Sequence, residues 1–347
     1  MQDSTRNEQK KTFKIKAKPI GTVSVAPMMD WTDRHCRYFH RLLSPNSVLY
    51  TEMVTTGALL RGDKERFLAF DAAEHPIVLQ LGGSHPDEMA NCAQFAQEAG
   101  FQEVNINVGC PSDRVQNGRI GACLMAEPQL VAECVSKMRS RVDIPVTVKT
   151  RIGIDDDDSA EFLMKFIRTV AGAGCTTFVI HARKAILNGL SPKENRTIPP
   201  LNYDRVYQVK KEYPALAIII NGGIKSVAEI EQHWQNLDGV MMGREAYHRP
   251  FFLADIEHEL FQQPLIDRKE VLDKFIQYVD NQLFLGVPLH RMTRPILGLY
   301  AGEAGGKHWR RYLSENARKK NAGPEVILAA LEAMSPYNTI AEPKGRC

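Results

Sequence analysis

The chain has 347 residues, and its 44 Lys and Arg nearly balance its 41 Asp and Glu, which leaves a net charge of +3. Nucleic-acid binding therefore cannot be argued from the total charge. Hydrophobic residues make up 44% and charged residues 24%, as in a globular protein of ordinary composition. No stretch approaches the roughly 18 uninterrupted apolar residues of a membrane span, and residues 1–18 lack the apolar centre of a signal peptide. We expect no membrane association.

The cysteines indicate a reducing compartment. There are seven of them, and none forms a C-x-x-C pair: Cys36, Cys92, Cys110, Cys123, Cys134, Cys175 and Cys347. Their odd number and irregular spacing fit neither a disulfide framework nor a zinc site. We expect a cytoplasmic protein without a metal, in which most cysteines are small buried side chains.

In chain order, eight short β-branched runs alternate with segments of helical periodicity. The predicted strands are Thr22–Ala26, Val48–Thr51, Ile77–Leu81, Val104–Val108, Val146–Lys149, Phe178–Ile180, Ala217–Ile220 and Gly239–Met242. Helical patterns lie between them, most clearly at Pro86–Ala99, Pro128–Arg141 and Ser159–Ala171. Alternating strands and helices predict parallel β-α units. Eight units in this length favour a (β/α)8 TIM barrel over an open sheet.

Beyond about Pro264 the strand pattern stops, and a helical C-terminal domain is predicted. Its expected helices are Arg268–Phe284, Arg291–Tyr300 and Glu325–Met334. The predicted organisation is a basic tail at 1–18, a barrel at 19–262 and a helical domain at 263–340. Basic residues cluster in that last domain around Arg310 and Arg311. From composition alone, a solvated helix face explains this cluster as well as a binding surface does.

The ends of the last two predicted strands carry glycines. Asn221, Gly222 and Gly223 follow the seventh strand, and Gly243 with Arg244 follows the eighth. Barrels commonly bind phosphate with the loops after these two strands, where glycine lets the backbone approach the anion. Tight turns would explain either pair alone. Because the pairs follow consecutive strands, we favour a phosphate site.

Other strand ends carry polar groups that suit a flavin. Lys149 ends an apolar strand and would need an anion, such as the negative charge of a reduced flavin ring. Gln80 can both donate to and accept from the polar edge of the ring, and His181 lies at the sixth strand end. Met28 and Met29 could pack against the ring, although core packing explains methionines equally well. A structural role for His181 also stays open. The residues thus predict a barrel that binds flavin mononucleotide, FMN.

The sequence NINVGCPSDRVQNGRIGACLM, residues 105–125, places a cysteine just beyond the fourth strand. Val104, Ile106 and Val108 alternate with Asn105 and Asn107, and the strand then breaks at Gly109. Most free cysteines in proteins are buried and chemically inert. The position of Cys110 between Gly109 and Pro111 at a strand end favours a functional cysteine.

Taken together, these motifs resemble the tRNA-dihydrouridine synthase family over nearly the whole chain. The most specific are the stretch 105–125, VTVKTRIGIDD and HARKAILNGLSPKENRTIPPLNYDRVYQVKK. The last of these is most similar to the bacterial A-type branch, which modifies positions 20 and 20a of the tRNA D-loop. The resemblance implies FMN as cofactor, NADPH as reductant, tRNA as substrate and reduction of the C5=C6 bond of uridine.

The resemblance also implies roles for individual positions. Cofactor contacts fall on Pro27, Met28, Met29, Gln80, Lys149 and His181, and the phosphate cradle on Asn221, Gly222, Gly223, Gly243 and Arg244. Contacts to the uridine or to tRNA fall on Asn107, Arg183, Lys193, Arg196, Arg310 and Arg311. Cys110 matches the catalytic cysteine.

The implied chemistry is a hydride from reduced FMN to C6 and a proton from Cys110 to C5. A thiol with an ordinary pKa of about 8.5 is mostly protonated at neutral pH and can act as this acid. One alternative is a flavin barrel that reduces a free small molecule, which would not need a basic helical domain. Another is an RNA-binding protein without activity, which would not need Cys110 and Lys149.

Overall fold

The computed structural model describes residues 21–112, 115 and 118–334. Eight parallel strands in these residues form a closed barrel in chain order, with β8 paired to β1. They are β1 Thr22–Val25, β2 Val48–Thr55, β3 Ile77–Gly82, β4 Glu103–Val108, β5 Val146–Arg151, β6 Thr177–His181, β7 Ala217–Asn221 and β8 Gly239–Met242. The predicted (β/α)8 barrel is confirmed.

Helices cover the outside of the barrel, and further helices follow the last strand in the chain. Those associated with the strands are α1 Arg34–Leu43, α2 Thr56–Arg61, α3 Lys64–Leu68, α4 Pro86–Ala99, α5 Pro128–Arg139, α6 Ala160–Gly172, α7 Tyr203–Glu212, α8 Val227–Trp234, α9 Arg244–His248 and α10 Phe252–Phe261. The later ones are α11 Arg268–Phe284, α12 Leu289–Thr293, α13 Gly306–Asn316 and α14 Glu325–Glu332. Within the described ranges, no helix is both long and apolar enough to cross a bilayer.

Several strands extend further at their carboxyl ends than the sequence predicts. β5 continues to Arg151, β6 to His181 and β7 to Asn221. The prediction ended these strands early because it followed apolar residues. In a barrel, however, alternate residues face the interior, and a polar side chain at the carboxyl end reaches the mouth of the barrel. These extra residues are therefore the ones that build the site.

The buried apolar side chains form one continuous cluster that joins the barrel to the C-terminal helices. Val104, Ile106 and Val108 of β4 belong to it, as do Phe275 of α11 and Trp309 of α13. The indole Nε1 of Trp309 donates to the carbonyl of Ile296 at 2.9 Å. The helices after the barrel are thus fixed against it by core packing.

The predicted helix over 291–300 is wrong in its extent. The chain forms the short α12, which ends at Thr293, and then a 3-10 turn over Pro295–Gly298. Proline has no N–H for the i−4 carbonyl, so a continuous α-helix is interrupted there. The division at 262/263 stays a prediction, and the predicted basic tail at 1–18 lies outside the described residues.

Candidate functional site at the barrel mouth

The polar side chains at the strand ends meet inside the mouth of the barrel. Lys149 Nζ of β5 donates to Asn221 Oδ1 of β7 at 3.1 Å, across the intervening β6. A Cβ placed on Gly222 would lie 2.8 Å from His181 Cδ2, so the imidazole lies directly against the loop after β7. The lysine, the histidine and the glycine loop, which the sequence places far apart, therefore share one site.

The loop of Cys110 is held by side chains that start on the strands beneath it. Asn107 Oδ1 accepts from the N–H groups of Gly109 and Cys110 at 3.1 and 3.0 Å. The guanidinium of Arg151 donates from Nε to the carbonyl of Gly109 at 3.0 Å. Gly121 closes the other side, because a Cβ there would lie 2.5 Å from the carbonyl oxygen of Cys110. The thiol is thus presented by a fixed turn.

Cys110 differs from the other described cysteines in its surroundings. Cys36, Cys92, Cys134 and Cys175 are buried, and burial raises the pKa of each thiol, to about 12 in the last three. These four are confirmed as small buried side chains. Cys110 is only partly buried, and its Sγ lies 3.6 Å from Ser112 Oγ. Cys123 is also partly buried, with its Sγ 3.3 Å from the carbonyl oxygen of Ile120, and of these two cysteines Cys110 is the one on the turn that Asn107 and Arg151 hold.

Gln80 and Asn107 form a pair of linked amides beside this loop. Asn107 Nδ2 donates to Gln80 Oε1 at 2.8 Å. The oxygens of both amides are occupied, whereas each nitrogen carries two N–H groups and uses one of them in these bonds. Each amide therefore keeps a donor for a ligand in the mouth.

Positive charge gathers around the mouth on the side of β5 and β6. Burial, together with the charge of Arg151, lowers the pKa of Lys149 to about 7. Burial lowers the pKa of His181 far below its usual value, and the cations Lys149, Arg151, Arg183 and Arg244 lower it further, so the imidazole is neutral. Among the described residues, Arg151 acts on Lys149, and Arg183 and Arg196 act on Arg151, so each of these cations faces another cation. Such a cluster requires an anion.

The two glycine loops offer backbone donors at the same place. Gly222 and Gly223 have φ angles of 121° and 80°, which residues with a side chain rarely adopt. The hydroxyl of Tyr203 donates to the carbonyl of Gly222 at 2.9 Å. The N–H groups of Gly223 and Arg244 find no hydrogen-bond acceptor among the residues that the structure describes. Free N–H groups of this kind, beside cations, suit a phosphate.

The first strand end reaches the loop after β8. Met28 is buried, and its Sδ would lie 3.7 Å from a Cβ on Gly243, which joins these two predicted contacts. Pro27 is half-buried beside it. Met29, in contrast, is 56% exposed and can only contact a ligand that protrudes from the mouth.

The residues predicted to bind tRNA divide into two groups. Arg183 and Arg196 line the mouth, where the guanidinium of Arg244 donates to the carbonyl of Arg196 at 3.1 Å. Burial lowers the pKa of both arginines, and the charge of Arg244 lowers it further. Lys193 is exposed on the loop after β6.

The other group lies on α13. The charge of Arg310 acts on His248, at the end of α9, and contributes to the lowering of its pKa. Arg311 forms an exposed ion pair with Glu315 at 2.8 Å. Arg310 is therefore close enough to the end of α9, the helix that follows β8, to act on its electrostatics.

The comparisons with known proteins agree with this geometry. The family model described as dihydrouridine synthase (Dus) matches residues 24–335. The chain belongs to the dihydrouridine synthase family. The tRNA-dihydrouridine(20/20a) synthase of Vibrio cholerae is 59% identical over 321 residues, which are 92% of this chain and 98% of that protein. The protein of the same name from Escherichia coli K12 is 57% identical over 318 residues, 91% and 92% of the two chains. Among solved structures, morphinone reductase aligns with a TM-score of 0.49 at 12% identity, over 71% of this chain and 87% of its own.

The family resemblance seen in the motifs is confirmed, and the chain is an enzyme of this family. Two residues of its site were missed by the sequence reasoning. Arg151 is almost fully buried and also donates to the carbonyls of Lys184 and Asn195, so this side chain at the end of β5 joins the loop after β4 to the loop after β6. It stands two residues after Lys149, so strict alternation along β5 would have placed it on the same interior face. Gly121 had no local signal, because its contact with Cys110 depends on the path of the loop.

Proposed function

We propose that this protein reduces the C5=C6 bond of uridines at positions 20 and 20a in the D-loop of tRNA, with FMN as cofactor and NADPH as reductant. The observation that carries the proposal is the barrel mouth itself, where a cationic anion site and the loop of Cys110 lie side by side. The names of the 57–59% identical relatives support the same reaction and the same positions.

The residues at the mouth fit FMN. The free N–H groups of Gly223 and Arg244, with the guanidinium of Arg244, would hold its phosphate. Lys149 and the spare N–H of Gln80 would face the ring, where the ammonium group stabilises negative charge on the reduced form. Reduced FMN, when bound, supplies the hydride.

Cys110 would supply the proton to C5 of the uracil. Asn107 and Arg151 hold the backbone before the thiol, and the N–H of Ala122 donates to the carbonyl of Cys110 at 2.9 Å on its other side, so the turn is held by the protein itself. A spare N–H of Asn107 is available for a carbonyl oxygen of the base. A fixed acid within reach of the reacting carbon contributes by orientation as well as by proton transfer.

The target base must leave the tRNA fold to enter the barrel, at a cost of a few kcal/mol. Lys193 and Arg310 are placed outside the mouth and would offset this cost by binding the phosphate backbone. A barrel that reduces a free small molecule has no use for these cations, which is why we favour tRNA over that alternative. Because the substrate is tRNA, we place the reaction in the cytoplasm.

The test is a single turnover of the purified flavoprotein. The enzyme is reduced with NADPH and mixed with unmodified tRNA, and both flavin reoxidation and dihydrouridine at positions 20 and 20a are measured, the latter by mass spectrometry. We expect Cys110→Ala to bind FMN and accept electrons from NADPH normally. Its uridine reduction should be about 10²–10⁴-fold slower, the usual loss for a positioned acid.

Cys123→Ala is the matched control, because Cys123 is also partly buried and its Sγ donates only to the carbonyl of Ile120. It should react at the wild-type rate. A well-folded Cys110→Ala protein with wild-type turnover would overturn the acid role. Absence of bound flavin, or of dihydrouridine in the wild-type reaction, would overturn the function itself.

A further inference from the structure

Below the mouth, the interior face of β4 is polar along its whole length. Glu103, Asn105 and Asn107 alternate with three fully buried apolar residues that face the outer helices. Glu103 Oε1 accepts from Tyr50 Oη of β2 at 3.2 Å, a bond that crosses the barrel past β3 and so places Glu103 inside. Buried polar groups are costly unless they bond to each other, so their partners require an explanation.

These side chains form one continuous line of hydrogen bonds, which we name the polar column: Glu103, Thr147, Asn105, Gln80 and Asn107. From the base upward, Thr147 Oγ1 lies 2.6 Å from Glu103 Oε1, Asn105 Nδ2 lies 2.9 Å from Thr147 Oγ1, Gln80 Nε2 lies 2.8 Å from Asn105 Oδ1, and Asn107 Nδ2 lies 2.8 Å from Gln80 Oε1. The column ends where Asn107 Oδ1 accepts from the backbone of Cys110.

The bonds of the column all run in one direction. Glu103 Oε1 accepts from Tyr50 Oη as well, so it acts as an acceptor and the single hydroxyl proton of Thr147 points down to it. The hydroxyl oxygen can then only accept from above, which makes Asn105 present its nitrogen to Thr147 and its oxygen to Gln80. Each amide fixes the next in the same way up to Asn107.

The direction decides which atoms face the mouth. With the column in this order, Gln80 and Asn107 both turn their oxygens to protein donors and keep a spare N–H. Reversal of Asn107 would place its N–H groups against those of the Cys110 turn, and reversal of Gln80 or Asn105 would set donor against donor, or acceptor against acceptor, within the column. Burial raises the pKa of Glu103, and the hydroxyls of Thr147 and Tyr50 oppose this by bonding to the ionised carboxylate.

We propose that the polar column sets the amide orientation at the barrel mouth, with Glu103 and Thr147 as positioning residues for the turn that carries Cys110. The two positioning residues contact neither substrate nor cofactor and act only through Asn105, Gln80 and Asn107. The expected effect of the polar column on FMN binding rests on the proposed function, whereas its expected effect on the Cys110 turn does not.

The test compares two isosteric substitutions on one strand. Thr147→Val breaks the column in its middle and keeps the side-chain volume. Thr150→Val removes an equally buried hydroxyl from the same strand, but Thr150 Oγ1 bonds at 3.4 Å to the backbone carbonyls of Val108 and Arg151, outside the column. Amide hydrogen exchange of Gly109 and Cys110 is measured in both purified proteins, together with FMN affinity and the flavin midpoint potential.

We expect exchange at Gly109 and Cys110 to be about tenfold faster in Thr147→Val than in Thr150→Val, which is roughly the effect of one buried hydrogen bond. FMN affinity should fall by a similar factor, and the midpoint potential should move only in Thr147→Val. If the two variants match in exchange, affinity and potential, with equal decreases in thermal stability, the proposal is overturned and the column is merely structural.

Glu103→Gln provides a second variant should Thr147→Val not fold. A neutral amide can donate to Thr147 as well as accept from it, so both directions become available at the base, and the same changes should follow to a smaller extent. Exchange equal to that of wild type in Glu103→Gln contradicts the proposal. A wild-type protein that binds no flavin while exchange responds as expected would overturn the proposed function and leave the column standing.

Discussion

Lys149 is a cation in a place where burial opposes its charge. Its ammonium contacts Asn221, a neutral amide, and the charge of Arg151 disfavours its protonated form further. The pKa of about 7 thus describes the site before an anion enters. Between this value and the ordinary pKa of about 10.5, the unfolded chain binds more protons than the folded one, so this group makes stability rise with pH.

Binding of FMN should therefore depend on pH through Lys149. An anion near the ammonium raises its pKa, so the complex binds more protons than the free protein. Affinity is then highest below about pH 7 and falls as pH rises, by at most about tenfold per unit. Anaerobic calorimetric titration of flavin-free protein with reduced FMN, whose ring carries the negative charge that would face Lys149, measures this between about pH 7 and 9. The phosphate, with a second pKa of about 6, stays doubly ionised there.

Lys149→Met is the control for this prediction. It should bind FMN more weakly and with a nearly flat pH dependence, because Arg151 stays charged over this range. Equal slopes in the two proteins would show that Lys149 does not couple to the cofactor.

Asn107 illustrates how one side chain can serve two partners. The resemblance predicts it as a contact to the target uridine, and the structure shows its oxygen already committed to the Cys110 turn. Its free N–H leaves the predicted contact possible, so that prediction stands as a proposal. Removal of Asn107 would disturb the acid and the base contact together.

At the scale of elements, the loop after β7 depends on backbone conformation more than on side chains. Gly222 has a φ of 121°, and any Cβ there presses on His181 and on Leu201 Cδ2 at 3.0 Å. The strain of such a residue is about 1–3 kcal/mol. Without bound phosphate, the loop after β7 can change conformation to relieve this strain. Phosphate binding then has to restore the strained conformation, which costs binding free energy.

Gly222→Ala should thus weaken FMN binding by about tenfold or more while the barrel stays folded. The ratio of flavin to protein absorbance after gel filtration measures retention, and circular dichroism reports the fold. Gly172→Ala is the matched control, since a Cβ at Gly172 in α6 meets no atom within 4 Å. Full retention of flavin by a folded Gly222→Ala protein would place the phosphate elsewhere.

At the scale of the whole molecule, our proposal makes helix α13 and the barrel mouth parts of one binding surface for tRNA. The exposed cations Lys193 and Arg310 lie outside the mouth. Removal of one phosphate-binding cation should reduce the slope of log affinity against log salt by about 0.7–0.9. Arg311 should contribute less, because its ion pair with Glu315 competes with phosphate.

The expected salt effects are therefore larger for Lys193→Ala and Arg310→Ala than for Arg311→Ala. They are measured by tRNA binding between about 50 and 200 mM salt, a range over which several phosphate contacts together change affinity by about 10³–10⁵-fold. Arg168→Ala serves as the control, since Arg168 is an exposed arginine on the outer helix α6 that pairs with Glu161. Slopes that do not change in any of the three variants would exclude these side chains from the tRNA surface.

The sequence by itself determined the β-α repeat, the closed barrel and the group of residues at the strand ends. It could do so because these features are local: period-two alternation marks strands, helical periodicity marks the segments between them, and glycine pairs mark loops. Alternation alone also placed Asn105 and Asn107 on one face of β4. Pro295 was a local signal too: it indicates an interruption of the helix, and the predicted helix over 291–300 ran through it.

Only the tertiary structure decided which of these residues work together. Lys149 and Asn221 are 72 positions apart, and Tyr50 and Glu103 are 53 apart, yet each pair is bonded inside the barrel. Such pairs follow from the order and register of the strands, which no short stretch of sequence contains. The contact of Gly121 with Cys110 and the direction of the polar column arise in the same way, because a hydrogen-bond partner is chosen by position in space after the barrel has closed.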